Sequence, residues 1–374
     1  MNATDSDKLA RLLTYLESDP FNADLLTDAV QTSLDTGDLD RAETLNERLI
    51  EVLPIDFRGP YYKNMIAMKR GEFAKAAAGL ARLLEEHDYP NVRFGLAWSE
   101  AMIGKKHEVL PLLDDRTVEA IPAAAMLKLQ VMHENGDFDG AFAFAHQAME
   151  LHPADQGLMA AVATLATDME DMELARHCAD KAGNHPEGLA VSALVQLQNG
   201  DPVSARDLYD RSLSIRDHNP RAWVGRGLSA LMDHAPQEAA RDIDKGAQQF
   251  GDHIGSWIAA GWAHCIAGDL NAARQRFEHA LAIDHNFAET HGSLAVIDIL
   301  EGNQDAARRK VATAIRLDRE CFAAALAQVL LSSDDPARAN QIVEQAMQTP
   351  LNEKGLTIAG YLAGLSGRSG ATIH

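Results

Sequence analysis

Fifteen histidines and three cysteines are the residues of this 374-residue chain best equipped for metal or nucleophile chemistry. A zinc site needs ligands converging on one point, commonly through CxxC, HxxxH or HExxH spacing. None of these spacings occurs. His177-Cys178 and His264-Cys265 are neighbours in sequence, and neighbouring helix positions point about 100° apart, so neither pair can chelate well. Asp242-Ile243-Asp244 has the DxD form of sugar-nucleotide transferases. It falls within an expected helix, Gln237–Phe250, where i and i+2 diverge, and no strand and loop for a nucleotide precedes it, so a solvated helix face is the expectation. Gly225-Arg226-Gly227 lies inside another expected helix and is no phosphate loop. GxxxxGK[ST], GxSxG and a Cys/His nucleophile context are all missing. The expectation is a protein that is not an enzyme and carries no cofactor or metal.

Composition narrows the partners. Lys+Arg number 34 against Asp+Glu 55, a formal net charge of −21. Such a balance disfavours a phosphate backbone and anionic membranes as ligands, and keeps a large surface soluble. Cys178, Cys265 and Cys321 stand too far apart for a disulfide framework and fit a reducing compartment. The start, MNATDSDKLARLL, lacks a basic segment followed by an apolar core, and no apolar stretch is long enough to span a bilayer. The expected location is cytoplasmic. With aromatics at 6 % and abundant Ala and Leu, and no alternating Val/Ile/Thr run, the fold class should be all-α.

What positions these residues is a repeat. The best-formed stretch is 254–287, in which two helical runs meet at Gly268-Asp269. Trp257, Gly261 and His264 precede the turn; Leu270, Ala273, Phe277, Ala280 and Leu281 follow, spaced for one face of each helix. Equivalent turns fall at Gly37, Gly71, Gly104, Gly136, Glu170, Gly200, His234, Gly302 and Asp334, at intervals of 30 to 34 residues. Glycine suits the left-handed residue that ends a helix, and the Asp that often follows suits the next cap. Five residues past the turn stand Ala42, Ala76, Val109, Ala141, Ala175, Ala205, Ala239, Ala273, Ala307 and Ala339. Seven before it the residue is again mostly small, as at Ala97, Gly227, Gly261 and Ala295. These two places should be where the helices of a hairpin touch. Prolines such as Pro54, Pro90, Pro122, Pro186 and Pro220 close the units.

The pattern resembles the tetratricopeptide repeat, W-x2-L-G-x2-Y followed by G, A, F, A and P. Residues 254–287 match through Trp257, Ala260, Gly261, His264, Gly268, Leu270, Ala273, Phe277 and Ala280, with His285 in place of proline. About ten units run over residues 20–350. The resemblance implies a right-handed superhelical solenoid of antiparallel helix hairpins. Residues 1–19 are expected to form an N-terminal capping helix. Repeats occupy 20–121, the last degenerate with a kink near 105–120, because Pro111 sits mid-helix and Val109 replaces alanine. Further repeats occupy 122–350. Residues 351–374 are expected to hold a capping helix around Leu356–Leu365 and a loose tail.

In such arrays ligands lie in the concave groove lined by first helices, so the resemblance implies a scaffold or adaptor that holds a peptide or helical segment of another protein. Carrying the lining positions over gives Tyr61, Met65, Phe94, Trp98, Leu194, Arg221, Leu228, Ile258, Trp262 and Val296, an apolar set with charge at its edges. Two accounts of these side chains stay open: an exposed groove, or a core covered by neighbouring repeats. Trp262, which the repeat pattern does not require, stands out as a partner anchor. Two other readings compete. The C-terminal helix could occupy the groove of its own chain or of a second copy, giving an autoinhibited form or a homodimer, or the array could be an accessory subunit of a transferase.

Overall fold

Among residues 3–332, which the computed structural model describes, there are 21 α-helices, one short 3-10 turn and no strand. The chain divides into two compact units. One holds Met1–His133 with Ala143–His152, and the other Glu134–Phe142 with the chain from Pro153 onward. They are called the N-terminal and C-terminal unit below. Ala3–Ser18 leads the first, followed by the hairpins Ala23–Thr36/Leu39–Val52 and Arg58–Lys69/Phe73–Glu86. In the second unit the hairpins Gln156–Asp168/Met172–Ala182, Pro186–Gln198/Pro202–Ile215, Pro220–Met232/Pro236–Phe250, Ile254–Ile266/Leu270–Ile283 and Ala288–Leu300/Gln304–Leu317 succeed one another, and Phe322–Leu331 follows. Asp334 and the segment 351–374 lie outside the described residues.

All nine described turn residues have positive φ, from 56° at His234 to 85° at Gly302. In the reference hairpin Gly268 N–H donates to Cys265 O (3.1 Å) and Asp269 N–H to His264 O (2.9 Å), the paired bonds that close a helix through a left-handed residue. The Asp269 carboxylate then accepts from Ala272 N–H (2.9 Å) and starts the next helix. Asp38, Asp137, Asp171 and Asp201 cap in the same way. Glu72 and Asn303 make no such side-chain bond, so not every acid or amide after the turn acts as a cap. Several prolines also differ in role from the expectation. Pro90, Pro186 and Pro220 are the first residues of the next helix, where a missing N–H is harmless.

The small residues mark close contact between the helices of each hairpin. Every described residue five past the turn, from Ala42 to Ala307, is fully buried. A Cβ added to Gly261 would sit 2.4 Å from the Phe277 ring, and one at Gly227 would sit 2.9 Å from the Ala239 carbonyl oxygen. The signature tryptophans also lock the preceding loop: Trp223 Nε1 donates to Asp217 O (2.8 Å) and Trp257 Nε1 to Gly251 O (2.6 Å). One repeat later His291 Nε2 reaches His285 O at 2.8 Å, doing the same task with a different ring.

Between Gly104 and Pro122 the second helix is divided. Lys106–Val109 leads into a 3-10 turn, Leu110–Leu112, and Asp115–Ala120 follows. Pro111 has no N–H to continue the ladder. Asp114 caps the new start through Thr117 N–H (2.9 Å), while Val109, Leu113 and Val118 remain buried. The segment is broken in backbone but still packed in side chains.

Candidate interaction face

First helices carry the expected lining residues, and the two units treat them differently. In the N-terminal unit, Arg58–Lys69 presents Tyr61 and Met65, and Pro90–Met102 presents Phe94 and Trp98; all four are half-buried. The Phe94 and Trp98 rings lie 6.1 Å apart. Tyr61 packs beside Phe57 (6.4 Å), and Phe57 in turn meets His87 (5.8 Å) and Tyr89 (4.8 Å). Burial pushes the Tyr61 phenol above its usual pKa, partly offset by its hydrogen bond with Asn91. These rings offer apolar area with a polar handle, which suits contact with a partner chain. Phe57, Tyr89 and Asn91 were not picked out from sequence, because they lie in or next to the joints between hairpins, where the repeat pattern places no ligand contact.

In the C-terminal unit, Leu194 is half-buried. Leu228, Ile258, Trp262 and Val296 are core residues, exposed by only 1, 1, 3 and 0 %. The expectation of a partner anchor at Trp262 is therefore corrected. Its ring meets Phe277 edge-on, with centroids 5.6 Å apart, inside a cluster that includes Ile258, Leu294, Val296 and Leu326. The physical reason is size: Phe277 fills the space beside Gly261, and the neighbouring indole completes that layer. Arg221 is not a bare edge charge either. Its guanidinium bonds Asp168 through both nitrogens (3.1 and 3.0 Å), and that carboxylate is 1 % exposed.

The DxD pair is corrected as well. Asp242 is buried against Arg226, with two contacts of 2.7 Å, and Arg226 also reaches Asp210 at 2.8 Å. Asp244 bonds Arg276 (3.0 and 2.7 Å) and His264 Nε2 (2.9 Å). Burial raises and the Arg276 and His264 contacts lower the Asp244 pKa, with a net fall. These carboxylates act as structural ion-pair partners, so the solvated-face account does not hold for them. All three thiols are buried; desolvation pushes Cys178 up to about 11 and Cys265 and Cys321 to about 12. None is a thiolate at neutral pH. Among the described residues no group of three His, Cys, Asp or Glu could hold a metal ion, and no helix is long and apolar enough to cross a membrane.

No protein-family model matches the chain. Over 107 residues it is 34 % identical to the chaperone protein YscY of Yersinia enterocolitica, a stretch that is 27 % of this chain and 89 % of YscY. Over 141 residues, 37 % of this chain, it is 26 % identical to tetratricopeptide repeat protein 8 of Caenorhabditis elegans, of whose length it spans only 28 %. The fold is similar to that of a chain in the crystal structure of the APC/C hetero-tetramer Cut9-Hcn1, with a TM-score of 0.58 at 12 % identity, covering 83 % of this chain and 75 % of that one. Hairpins of this length, left-handed turns, small residues at the hairpin contact and these likenesses agree, and the chain belongs to the tetratricopeptide-repeat family.

Proposed function

We propose that the chain is a protein-interaction scaffold that holds a peptide or helical segment of a partner on the first-helix face of its N-terminal unit. The observation that carries this reading is the difference in burial at equivalent positions. Tyr61, Met65, Phe94 and Trp98 keep accessible surface, whereas Leu228, Ile258, Trp262 and Val296 are already spent on the core. Aromatic and Met side chains on adjacent rigid helices bind apolar segments with little loss of their own freedom. The likeness to a protein named as a chaperone supports a protein as the partner.

Photo-crosslinking tests the assignment. A benzophenone amino acid placed at Met65 or at Phe94 should yield partner adducts in cells. The same group at Ala81, an exposed position on a second helix, should yield few. Adducts formed mainly from Ala81 would remove the first-helix face as the binding surface.

A further inference from the structure

The N-terminal unit carries a second apolar feature that meets the first-helix face only at Tyr89. Phe21, Ile55 and Tyr89 recur at intervals of 34 residues and are 73, 95 and 44 % exposed. Each is the third residue after a second-type helix ends, following Ala3–Ser18, Leu39–Val52 and Phe73–Glu86 in turn. They therefore project from successive joints at one end of the stacked helices. Contacts tie these joints together: Arg48 Nη2 donates to Pro20 O (2.8 Å), Arg58 pairs with Asp24 (3.4 Å), and Phe57 lies 4.8 Å from Tyr89. Single exposed apolar residues are ordinary, but a row of three on one edge is a surface. The same place in the C-terminal unit holds Ala154, His185, His218, His253, Asn286 and Glu320, so the row belongs to one unit alone.

A glutamate accompanies each member of the row. Glu17, Glu51 and Glu85 also recur every 34 residues, each exposed and each the penultimate residue of its helix. No basic residue stands in the last turn of any of the three helices, and no ion pair joins these glutamates to a described residue. A negative charge at a helix C-terminus opposes the backbone dipole; the same placement continues at Glu119 and Glu150, where Ala123 and Ala154 follow, so it is the pairing of acid with Phe21, Ile55 and Tyr89 that marks this edge. Several nearby cations are already engaged by other acids. Arg58 holds Asp56 and Asp24, and Arg93 and Arg116 hold Asp88, whose pKa they draw down to about 2. The edge thus sets apolar surface beside acids that no ion pair among the described residues neutralises.

We propose that this edge docks a partner segment in which apolar side chains alternate with Lys or Arg, the apolar groups covering Phe21, Ile55 and Tyr89 and the cations meeting Glu17, Glu51 and Glu85. The cations would also restore the favourable charge that three helix ends lack. The edge adjoins the first-helix face where Tyr89 packs on Phe57 (4.8 Å), but Phe21, Ile55 and the three glutamates belong to the edge alone, so either surface can fail without the other.

A Leu/Lys amphipathic peptide serves as the probe, with a Leu/Glu peptide of the same pattern as its counterpart, titrated against the full chain by fluorescence anisotropy. The Leu/Lys peptide should bind and the Leu/Glu peptide should not. E17Q/E51Q/E85Q and F21S/I55S/Y89S should each weaken binding about tenfold or more, a loss typical of interface anchors. Their circular dichroism melts should stay at or above wild type for the glutamine variant, since it removes charges that oppose the dipole. E173Q/D180N/D207N makes the same change in net charge at exposed positions elsewhere, and F94A/W98A alters the first-helix face; both should bind as wild type. Equal weakening by E173Q/D180N/D207N would reduce the effect to net charge and overturn the proposal. Loss of binding in F94A/W98A alone would move the probe to the first-helix face and also overturn it. So would a dimer in sedimentation that F21S/I55S/Y89S dissolves, because the occupant would then be a second copy of the chain.

Discussion

Trp98 and Trp262 occupy the same repeat position, so truncating each in turn asks what the surroundings make of one side chain. A buried Trp removes roughly 150–250 Å² from water, which at about 25 cal/mol per Å² is worth about 4–6 kcal/mol. A compact unfolded chain already hides part of that area, lowering the figure by about 10–40 %. The edge-on contact between Trp262 and Phe277 adds about 1 kcal/mol. Since Trp262 is 3 % exposed, Trp262→Ala should cost about 4 kcal/mol. Trp98 keeps more accessible surface and should cost less. Equilibrium urea unfolding followed by far-ultraviolet circular dichroism gives both values. Stability in a repeat array is a sum of local terms, so the Trp262 loss should appear as an earlier phase with the remainder of the curve in place. A Trp262→Ala cost no larger than that of Trp98→Ala would refute the assignment of Trp262 to the core.

Three further outcomes follow, two from backbone and one from charge. His234 holds φ at 56° where most equivalent turns have glycine; His234→Gly should stabilise by roughly 0.5–1 kcal/mol, the αL strain less the entropy of a freer unfolded chain. Gly268→Ala, at φ 84° with open space around its Cα, should destabilise by about 1 kcal/mol through strain alone; thermal melts of the two variants shifting in the same direction would contradict this. Burial raises the pKa of Glu289 although its carboxylate accepts from Phe322 N–H (2.6 Å) and Ala323 N–H (3.0 Å). The folded chain therefore binds that proton more tightly than the unfolded chain. The resulting stability is complete below the ordinary Glu pKa and is lost as pH rises through the raised value. Melting temperature measured across that window should fall in wild type and fall less in Glu289→Gln.

The fold was legible because its determinants are local and repeated. Gly268 with Asp269, or Gly37 with Asp38, states a turn within two residues, and nine copies cancel the ambiguity of any one. Even Glu170 and His234 were identifiable as turns, because the period pointed to them when residue type did not. The lining positions of the first helices were legible as places and illegible as environments. Whether Trp98 or Trp262 keeps accessible surface depends on packing from other helices, and no single repeat encodes that. Asp242 shows the same limit. Its carboxylate looked solvated on a helix wheel, yet Arg226, sixteen residues earlier on the partner helix, turns inward to meet it.

Those buried ion pairs explain how an alanine-lined array keeps its register. Alanine and glycine at the hairpin contact let helices approach closely, but small flat surfaces specify little about sliding along the axis. The C-terminal unit adds directional pins across the contact. Arg226 joins the two helices of one hairpin through Asp242, Arg274 joins one hairpin to the next through Asp298 and Glu301, and Arg276 reaches Asp244 on the preceding second helix. Replacing such pairs with apolar residues often costs little net stability, so their value lies more in fixing one arrangement than in strength. The N-terminal unit has several of its pairs in water instead: Asp40 and Asp24, which meet Arg70 and Arg58, are 99 and 93 % exposed. Exposed pairs of this kind add little to stability and constrain geometry weakly. A divided second helix at Pro111 lies in the same unit. The unit with fewer buried pins among the described residues is thus also the one whose first-helix lining aromatics, Tyr61, Phe94 and Trp98, keep accessible surface, and a binding face benefits from both, since a lightly pinned stack of hairpins can adjust to a partner without breaking core contacts.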